Sequence, residues 1–446
     1  MNTTTSSHTW LTRRSTTGDG QPPGFRRHRR IRVLSAVTIG AVLILAGCSS
    51  SSTTSSSTTT SSTTTSTGGS SGGKAPITIA LVTSLTGPGA DQFVPGPDAF
   101  EARIDAQNAI GGVNGHMIKV IVVDDQTTQP TVAIEDALSK GAFGIVAESP
   151  LFFLGAKIPQ QEGVPVTGGS VDGPEWGEQP YTNMLAADPG SVDPTQPASS
   201  LPGKFMKEHG GTILGAYAYP IGGTSKVGAV NASKAFDAAG GTTGVLNTTV
   251  PLASVAFTGD AILAQQKHVN AVYPDMGNQS NNALVTAFQQ EGVKPKVTLL
   301  PTGYQQSVIS SPAWPSLRGT YFASMFRPFS APDAGTESMD AAMEKYEHWT
   351  KGQFPTFAEY EAWVGTDLMI QGLLLAGSDP TRSNVIKDLR GIKSYNADGI
   401  DPVSIDYSTV FGHSASPDCR WYLQAETSGF KLLSPTPECG TWMTGS

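Results

Sequence analysis

Three cysteines and seven histidines in 446 residues leave little from which to build a metal centre or a thiol active site, and charged side chains make up only 15% of the chain. The histidines are scattered, with no His-x-x-x-His pair of the kind that holds zinc on one helix. No Gly-x-Ser-x-Gly elbow joins a strand to a helix, and there is no phosphate-cradling Gly-x-x-x-x-Gly-Lys-Ser/Thr loop. The first β-to-α junction, TSLTGPGAD, lacks the Gly-x-Gly-x-x-Gly spacing that admits a dinucleotide. Neither catalysis nor a cofactor or metal is expected. The apolar segment Val33 to Ala46 has about 14 residues, too few for a membrane-spanning helix, which needs about 20.

What is present begins with a basic cluster, RRHRRIR, set before that apolar segment, with small residues after it. This is the layout of an export signal, residues 1–47. Leu45-Ala46-Gly47-Cys48 resembles the lipobox of bacterial lipoproteins, which implies a lipid on Cys48 and a mature chain that starts there. The alternative is a signal-anchor helix with an incidental cysteine. Arg29-Arg30 also permits a twin-arginine reading, but its flanks match poorly and Sec export is the expectation.

From Ser49 to Gly73 nothing apolar is available to bury, so the segment cannot offset its ordering entropy and reads as a disordered tether, 48–74 with the cysteine. Its reach is about 28 Å, enough to hold a domain clear of lipid headgroups. Its hydroxyls are also acceptors for O-linked sugars. Cys419 and Cys439 lie close together in an exported chain, where a disulfide is the simplest reading, worth about 3 kcal/mol for a loop of this length. Without residues 1–47 the chain keeps 22 of its 29 basic and 36 of its 37 acidic residues, a net charge of −14. That argues against nucleic acid as a partner.

Apolar runs then alternate with helical spacing. ITIALVT, MIKVIVVDD, AFGIVA and VPVTGG read as strands; PDAFEARIDAQNAI, PTVAIEDALSKG and a stretch from Pro150 read as helices. A second series follows, with strands TILGAYAY, TTGVLNTTV, NAVYPD and KVTLLP and helices SKVGAVNASKAFDAAGG, TGDAILAQQKHV and NNALVTAFQQEG between them. Two α/β lobes with parallel sheets are expected, with sites at the carboxyl ends of the strands. Residues 75–190 with about 323–392 form the first lobe, and 191–322 with about 393–446 the second. Two later helices, within 332–352 and 355–377, are core helices. CRWYLQAETSGFKLLS reads as a small C-terminal β element that turns at Ser428-Gly429.

The run IALVTSLTGPGADQF, a helix, and NAIGGVNGHMIKVIVVDDQTTQPTVAI together resemble the opening of extracytoplasmic substrate-binding proteins of the branched-chain amino acid transporter type, the leucine/isoleucine/valine-binding family. Thr86-Gly87-Pro88, the Gly111–Gly115 turn, Asp124-Asp125 and Pro130 carry the match. The resemblance implies a type I periplasmic-binding fold: two Rossmann-like lobes, joined by hinge strands, that close on a small solute and present it to an ABC permease. It also implies that hydroxyls in the loops after the third and fourth strands hold a ligand carboxylate, while aromatics and a carboxylate of the second lobe cover the rest.

At the first loop this chain reads Glu148-Ser149-Pro150-Leu151-Phe152-Phe153, which keeps only Ser149 as a hydroxyl. Ser149 is equally read as a helix N-cap with Pro150 at N1. Leu151 to Phe153 make the pocket more apolar or form the buried face of a helix. At the second loop Ser170 follows Gly168-Gly169, although gapless counting places Val171 on the family's hydroxyl. The ligand-binding set is therefore Ser84, Phe93, Ser149, Leu151, Gly169 and Ser170 from the first lobe, with Tyr219, Asp275, Asn278 and Tyr304 from the second. Asp275 is the candidate partner for a ligand cation; a solvated loop aspartate is the alternative.

The function expected is a monomeric, lipid-anchored binding protein on the outer face of the cytoplasmic membrane. It captures an amino acid or a related amide, carboxylate or apolar metabolite for an ABC importer. The alternative is a ligand-sensing surface lipoprotein that signals through a membrane partner.

Overall fold

A computed structural model describes residues 74–169, 173–187, 197–220, 223–409 and 417–443, within the compact unit Gly69–Ser446. The signal segment, Cys48, the Ser/Thr tether and Ser170 lie outside the described residues.

The first lobe starts with β1 (Ile77–Thr83), α1 (Ala90–Phe93), α2 (Gly96–Ala109), β2 (Ile118–Asp124), α3 (Pro130–Ser139), β3 (Gly144–Glu148), α4 (Lys157–Gln161), β4 (Val166–Gly168) and β5 (Met184–Ala186). Its five strands run parallel in the order β2-β1-β3-β4-β5, with Thr83 level with both Asp124 and Glu148. Between α2 and β2 the chain reverses tightly because Gly111, Gly112, Asn114 and Gly115 all take positive φ, as the GGVNG run predicts.

The second lobe contains α5 (Leu201–Glu208), β6 (Ile213–Ala218), α6 (Gly223–Ala238), β7 (Thr242–Asn247), α7 (Thr258–Gln266), β8 (Ala271–Asp275), α8 (Asn278–Gln290), β9 (Val297–Leu300), α9 (Gln306–Ile309), α10 (Trp314–Leu317) and β10 (Tyr321–Ser324). The chain then returns to the first lobe with α11 (Ala334–Tyr346), α12 (Phe357–Leu375) and α13 (Arg382–Arg390). It ends in β11 (Cys419–Glu426), β12 (Gly429–Leu432) and β13 (Glu438–Cys439). The second sheet runs β12-β11-β10-β9-β8-β6-β7, parallel up to β10, with β11 and β12 added antiparallel and β13 on β11. The C-terminal hairpin is thus part of the second sheet, and a disulfide joins Cys419 to Cys439.

Each sheet is covered on both faces. Helices α2, α11, α12 and α13 bury one face of the first sheet with Ile79, Leu81, Phe100, Met369 and Leu389; α3 covers the other with Val82, Ile134 and Ile145. In the second lobe α5 and α6 face Leu214, Ala216 and Tyr273, while α7 and α8 face Tyr217 and Val272, with Phe288 of α8 against Tyr217. α12 opens with a capping box between Thr356 and Glu359 and buries almost its whole length, so it is the core helix the sequence predicts. Among the described residues no helix is long and apolar enough to cross a membrane.

Two sequence expectations need correction. Residues 393–409, expected in the second lobe, belong with the first. Tyr395, Ala397, Ile400, Ile405 and Tyr407 pack into the core around α12, and Tyr395 Oη donates to Val364 O at 2.8 Å. These apolar residues sit in irregular backbone, so no periodicity reveals where they are buried. The chain after β3 does not enter a helix at Pro150 either: a 3-10 turn, Phe152–Leu154, precedes the short α4. Phe152 is drawn into the core on the α3 side, its ring centroid 6.3 Å from that of Trp176.

The crossing at 325–333 is tied to both lobes. Arg327 Nε donates to Gly399 O at 2.8 Å on the first-lobe side, while its guanidinium lies 5.1 Å from the ring centroid of Trp421 in β11.

Candidate functional site

Parallel strands place their carboxyl ends on one edge of a sheet, and the loops that follow build a site there. In the first lobe these ends are Thr83-Ser84, Asp124-Asp125, Glu148-Ser149 and Gly168-Gly169. Asp124 gathers the Thr86–Pro88 turn: Oδ1 accepts from the amides of Leu85 (2.9 Å), Thr86 (3.1 Å) and Gln126 (2.8 Å), and Oδ2 accepts from Thr86 Oγ1 at 2.6 Å. Burial opposes its ionisation, but those hydrogen bonds prevail and hold the carboxyl below its ordinary value. Gly87 takes φ +90°, and a Cβ there would collide with the Gln126 carbonyl, so the turn lies flat on the β2 loop.

Asp125 is completely buried and fully engaged. Its Oδ1 accepts from Ser84 Oγ (2.7 Å) and Thr127 N (2.7 Å), and its Oδ2 accepts from Ser149 Oγ. The structure brings Ser84 and Ser149, both expected to hold the solute, together on Asp125, with both hydroxyl protons directed at a side chain of the same lobe. Ser149 also accepts from Leu151 N at 3.3 Å, so it closes a local turn and caps no helix. Gly169 at the end of β4 lies against the carboxyl of Glu361, which leaves no room there for a Cβ.

Behind these loops lie buried acids. Glu148 is 0% exposed, and neither of its carboxyl oxygens has a hydrogen-bond partner among the described residues. It packs on Gly96, the first residue of α2. Burial, and then the neighbouring Glu359, push its carboxyl well above the ordinary range. Glu359 is pushed up to about 7 by burial, against the bonds it accepts from Thr356.

In the second lobe Tyr219, just past β6, is buried, with its hydroxyl saturated: it accepts from Gly277 N at 3.1 Å and donates to Ser280 Oγ at 2.7 Å. Burial is the main cause that raises its pKa. Asn278 opens α8, is 7% exposed, and has no partner for Oδ1 among the described residues. Asp275 points elsewhere. Its carboxylate lies over Gly228 of α6, and burial lifts it to about 7 despite Arg420. Tyr304 is buried in an aromatic cluster, stacked on Phe354 at 4.7 Å and edge-on to Phe430 at 5.2 Å.

The two sets of strand ends face each other. α1, which follows β1, meets the start of α8, which follows β8: Asp91 Oδ2 accepts from Gln279 N at 3.1 Å. Phe93 is buried at this junction, 1% exposed, and Leu151 is 6% exposed beside the β3 end. Of the residues chosen from sequence, Phe93, Tyr219 and Asn278 line the meeting of the lobes. Asp275 is engaged within its own lobe, while Tyr304, which follows β9, packs across to Phe354 and the core around α12 and so also bridges the lobes. Asp91, Asp125 and Gln279 were missed. For Asp125 the Asp-Asp pair is a visible signal; for Asp91 and Gln279 there is none, since their contact joins positions 188 apart. Among the described residues no group of three His, Cys, Asp or Glu is placed to hold a metal ion.

The family profile described as periplasmic binding protein matches residues 76–423. No curated protein matches the chain. Among solved structures the chain is similar to a fatty acid ABC transporter substrate-binding protein from Thermomonospora curvata, at 16% identity and a TM-score of 0.68, over 83% of this chain and 93% of that one. It is similar to a branched-chain amino acid ABC transporter protein from Thermus thermophilus with bound valine, at 14% identity and a TM-score of 0.68, over 82% and 96% of the two chains. A solute-binding protein from R. palustris in complex with benzoate aligns at 14% identity and a TM-score of 0.64, over 83% and 98%.

Proposed function

The chain belongs to the periplasmic binding protein family, and on that premise we propose that it captures a small organic solute between its lobes and hands it to an ABC importer. The observation that carries this reading is the meeting of the carboxyl ends of both sheets through α1 and α8. A solute that touches both sides there favours the closed state by the difference in its contacts with the open and closed forms.

We further propose that the solute has an apolar body and one polar head, a carboxylate or an amide. Ser84 and Ser149 spend their protons on Asp125, so the first lobe offers few donors for the carboxylate of a zwitterionic amino acid. Phe93 and Leu151, both buried beside the strand ends, are the apolar side chains that opening of the lobes would offer to the body of the solute. Relatives of the same fold are described with a fatty acid, benzoate and valine, which all share a carboxylate. Native mass spectrometry after incubation with fatty acids, aromatic acids, amides and amino acids tests this. One solute bound per chain from the first three classes supports it, and preferential retention of amino acids contradicts it.

Cys48 is proposed as the lipid anchor and Ser49–Gly73 as the tether, which places the lobes on the outer face of the cytoplasmic membrane. In a bacterial host the chain should incorporate labelled palmitate, and Cys48→Ser should abolish it. Equal labelling of both would remove the anchor from this account.

A further inference from the structure

Helix α8, 13 residues long, begins without a cap of its own. Gly277 at its N-cap has the extended backbone of a capping residue, φ −66° and ψ 159°, but no side chain to accept from the first-turn amides. An uncapped first turn leaves donors unsatisfied and a partial positive charge exposed. The missing acceptor comes from the other lobe: Asp91 of α1 accepts from the amide of Gln279, the second residue of α8, at 3.1 Å.

The surroundings are arranged for this contact. Tyr219 Oη already accepts from Gly277 N, and Ser280 Oγ donates to Ser254 O at 2.7 Å, so the base of the turn is fixed within the second lobe. A Cβ on Gly277 would meet Tyr219 Oη at 3.3 Å, a tight contact, and Asp91 Oδ1 and Gln92 Cδ at 3.6 Å each, so a small side chain enters once the Tyr219 hydroxyl gives way by a few tenths of an ångström. Asp91 and Gln279 are both exposed at the rim while Phe93 is buried behind them. A solvated contact of this kind forms and breaks readily, as closure requires.

We propose that Asp91 is a positioning residue for closure: it lends α8 the cap that Gly277 lacks and so holds the lobes together before any solute bridges them. Its consequence for solute affinity rests on the proposed function, because a larger closed population lowers the apparent dissociation constant in proportion. The contact itself does not depend on that reading.

Hydrogen exchange of the full chain without solute tests the proposal through segments 88–94 and 277–281. Asp91→Ala is expected to speed exchange in both segments by roughly fivefold, as the loss of one cap implies, with β1 and β6 unchanged. Asp91→Asn, which keeps an acceptor oxygen without the charge, should fall between. Adding Gly277→Ser to Asp91→Ala gives α8 a cap of its own: 277–281 should regain protection while 88–94 stays exposed. Recovery of both segments, or no change in 88–94 with Asp91→Ala, would overturn the proposal, since Asp91 would then act on α8 alone or not at all. Faster exchange in β1 and β6 would also overturn it, by making the contact a general support of the fold. No solute enters this experiment, so it can fail independently of the binding assay.

Discussion

Ser149 at the end of β3 donates its hydroxyl proton to Asp125 at the end of β2, across the intervening strand β1. Ser84 at the end of β1 donates to the other oxygen of the same carboxylate at 2.7 Å. One buried side chain thus fixes three strand ends, and two hydroxyls that sequence alone assigns to a solute serve the architecture of the lobe.

This makes the two roles separable. Asp125→Ala leaves Ser84, Ser149 and the Thr127 amide without their acceptor and should cost about 3 kcal/mol, with Ser149→Ala costing about 1 kcal/mol. Urea unfolding measures both. Once a solute is in hand, Ser149→Ala should leave its affinity within about twofold by the same reasoning. A tenfold loss of affinity at unchanged stability would return Ser149 to the binding set.

The buried carboxyl of Glu359 gives a pH dependence with a definite sign. Its folded pKa of about 7 stands above the ordinary 4.5, so the folded chain holds the proton more tightly than the unfolded one. The stability this contributes is complete below about pH 4.5 and is lost as pH rises through 7, on the order of 3 kcal/mol. Glu148 shifts in the same direction, and so does Asp275, also lifted to about 7, so both add to the same slope. Asp124, held below its ordinary value, changes stability only at more acidic pH. Unfolding free energy should fall between pH 5 and 8, and Glu359→Gln, which keeps an acceptor for Thr356 N, should flatten that slope. An unchanged slope would show that Glu359 is ionised in the fold.

The strand and helix order was legible because each apolar run had the period its element required. IVVDD ended β2 where the sheet needed a strand end, and the run within 355–377 marked α12 as a core helix. The site was less legible. Asp275 looked like a cleft residue because it ends a strand, yet a strand end does not say which way its side chain turns, and the absent side chain of Gly228 admits it to α6. Glu148 looked like a loop residue and is fully buried, since β3 is central and α2 starts over it. Asp91 carried no signal at all, because its meaning depends on a helix start in the other lobe.

The placement of Asp275 is itself testable. Gly228→Ala puts a methyl group where the carboxylate lies and should destabilise the chain by about 1 to 2 kcal/mol, although alanine favours a helix. In an Asp275→Ala background the same change should be neutral or stabilising. A coupling energy near zero in this double-mutant cycle would mean that Asp275 faces away from α6.

The Cys419–Cys439 bridge pins β13 and the chain end to the start of β11. Replacing both cysteines by serine should cost about 3 kcal/mol, as expected for a loop of this length. Because β11 belongs to the second sheet, hydrogen exchange should rise first in β11 and β12 and leave β1 to β5 unchanged. Uniform destabilisation of both lobes would contradict that assignment.

The central claim is that the meeting of the lobes is a solute site, and a thermal-shift panel on residues 74–446 tests it most directly. The panel should span fatty acids, aromatic acids, amides, amino acids and sugars. The account predicts that one chemical class, a carboxylate or amide with an apolar body, stabilises the chain saturably, by about 2.7 kcal/mol at a hundred times its dissociation constant. Phe93→Ala, which removes apolar surface at the junction, should shrink that shift. No saturable stabilisation by any class, with the chain folded and the bridge intact, would contradict it.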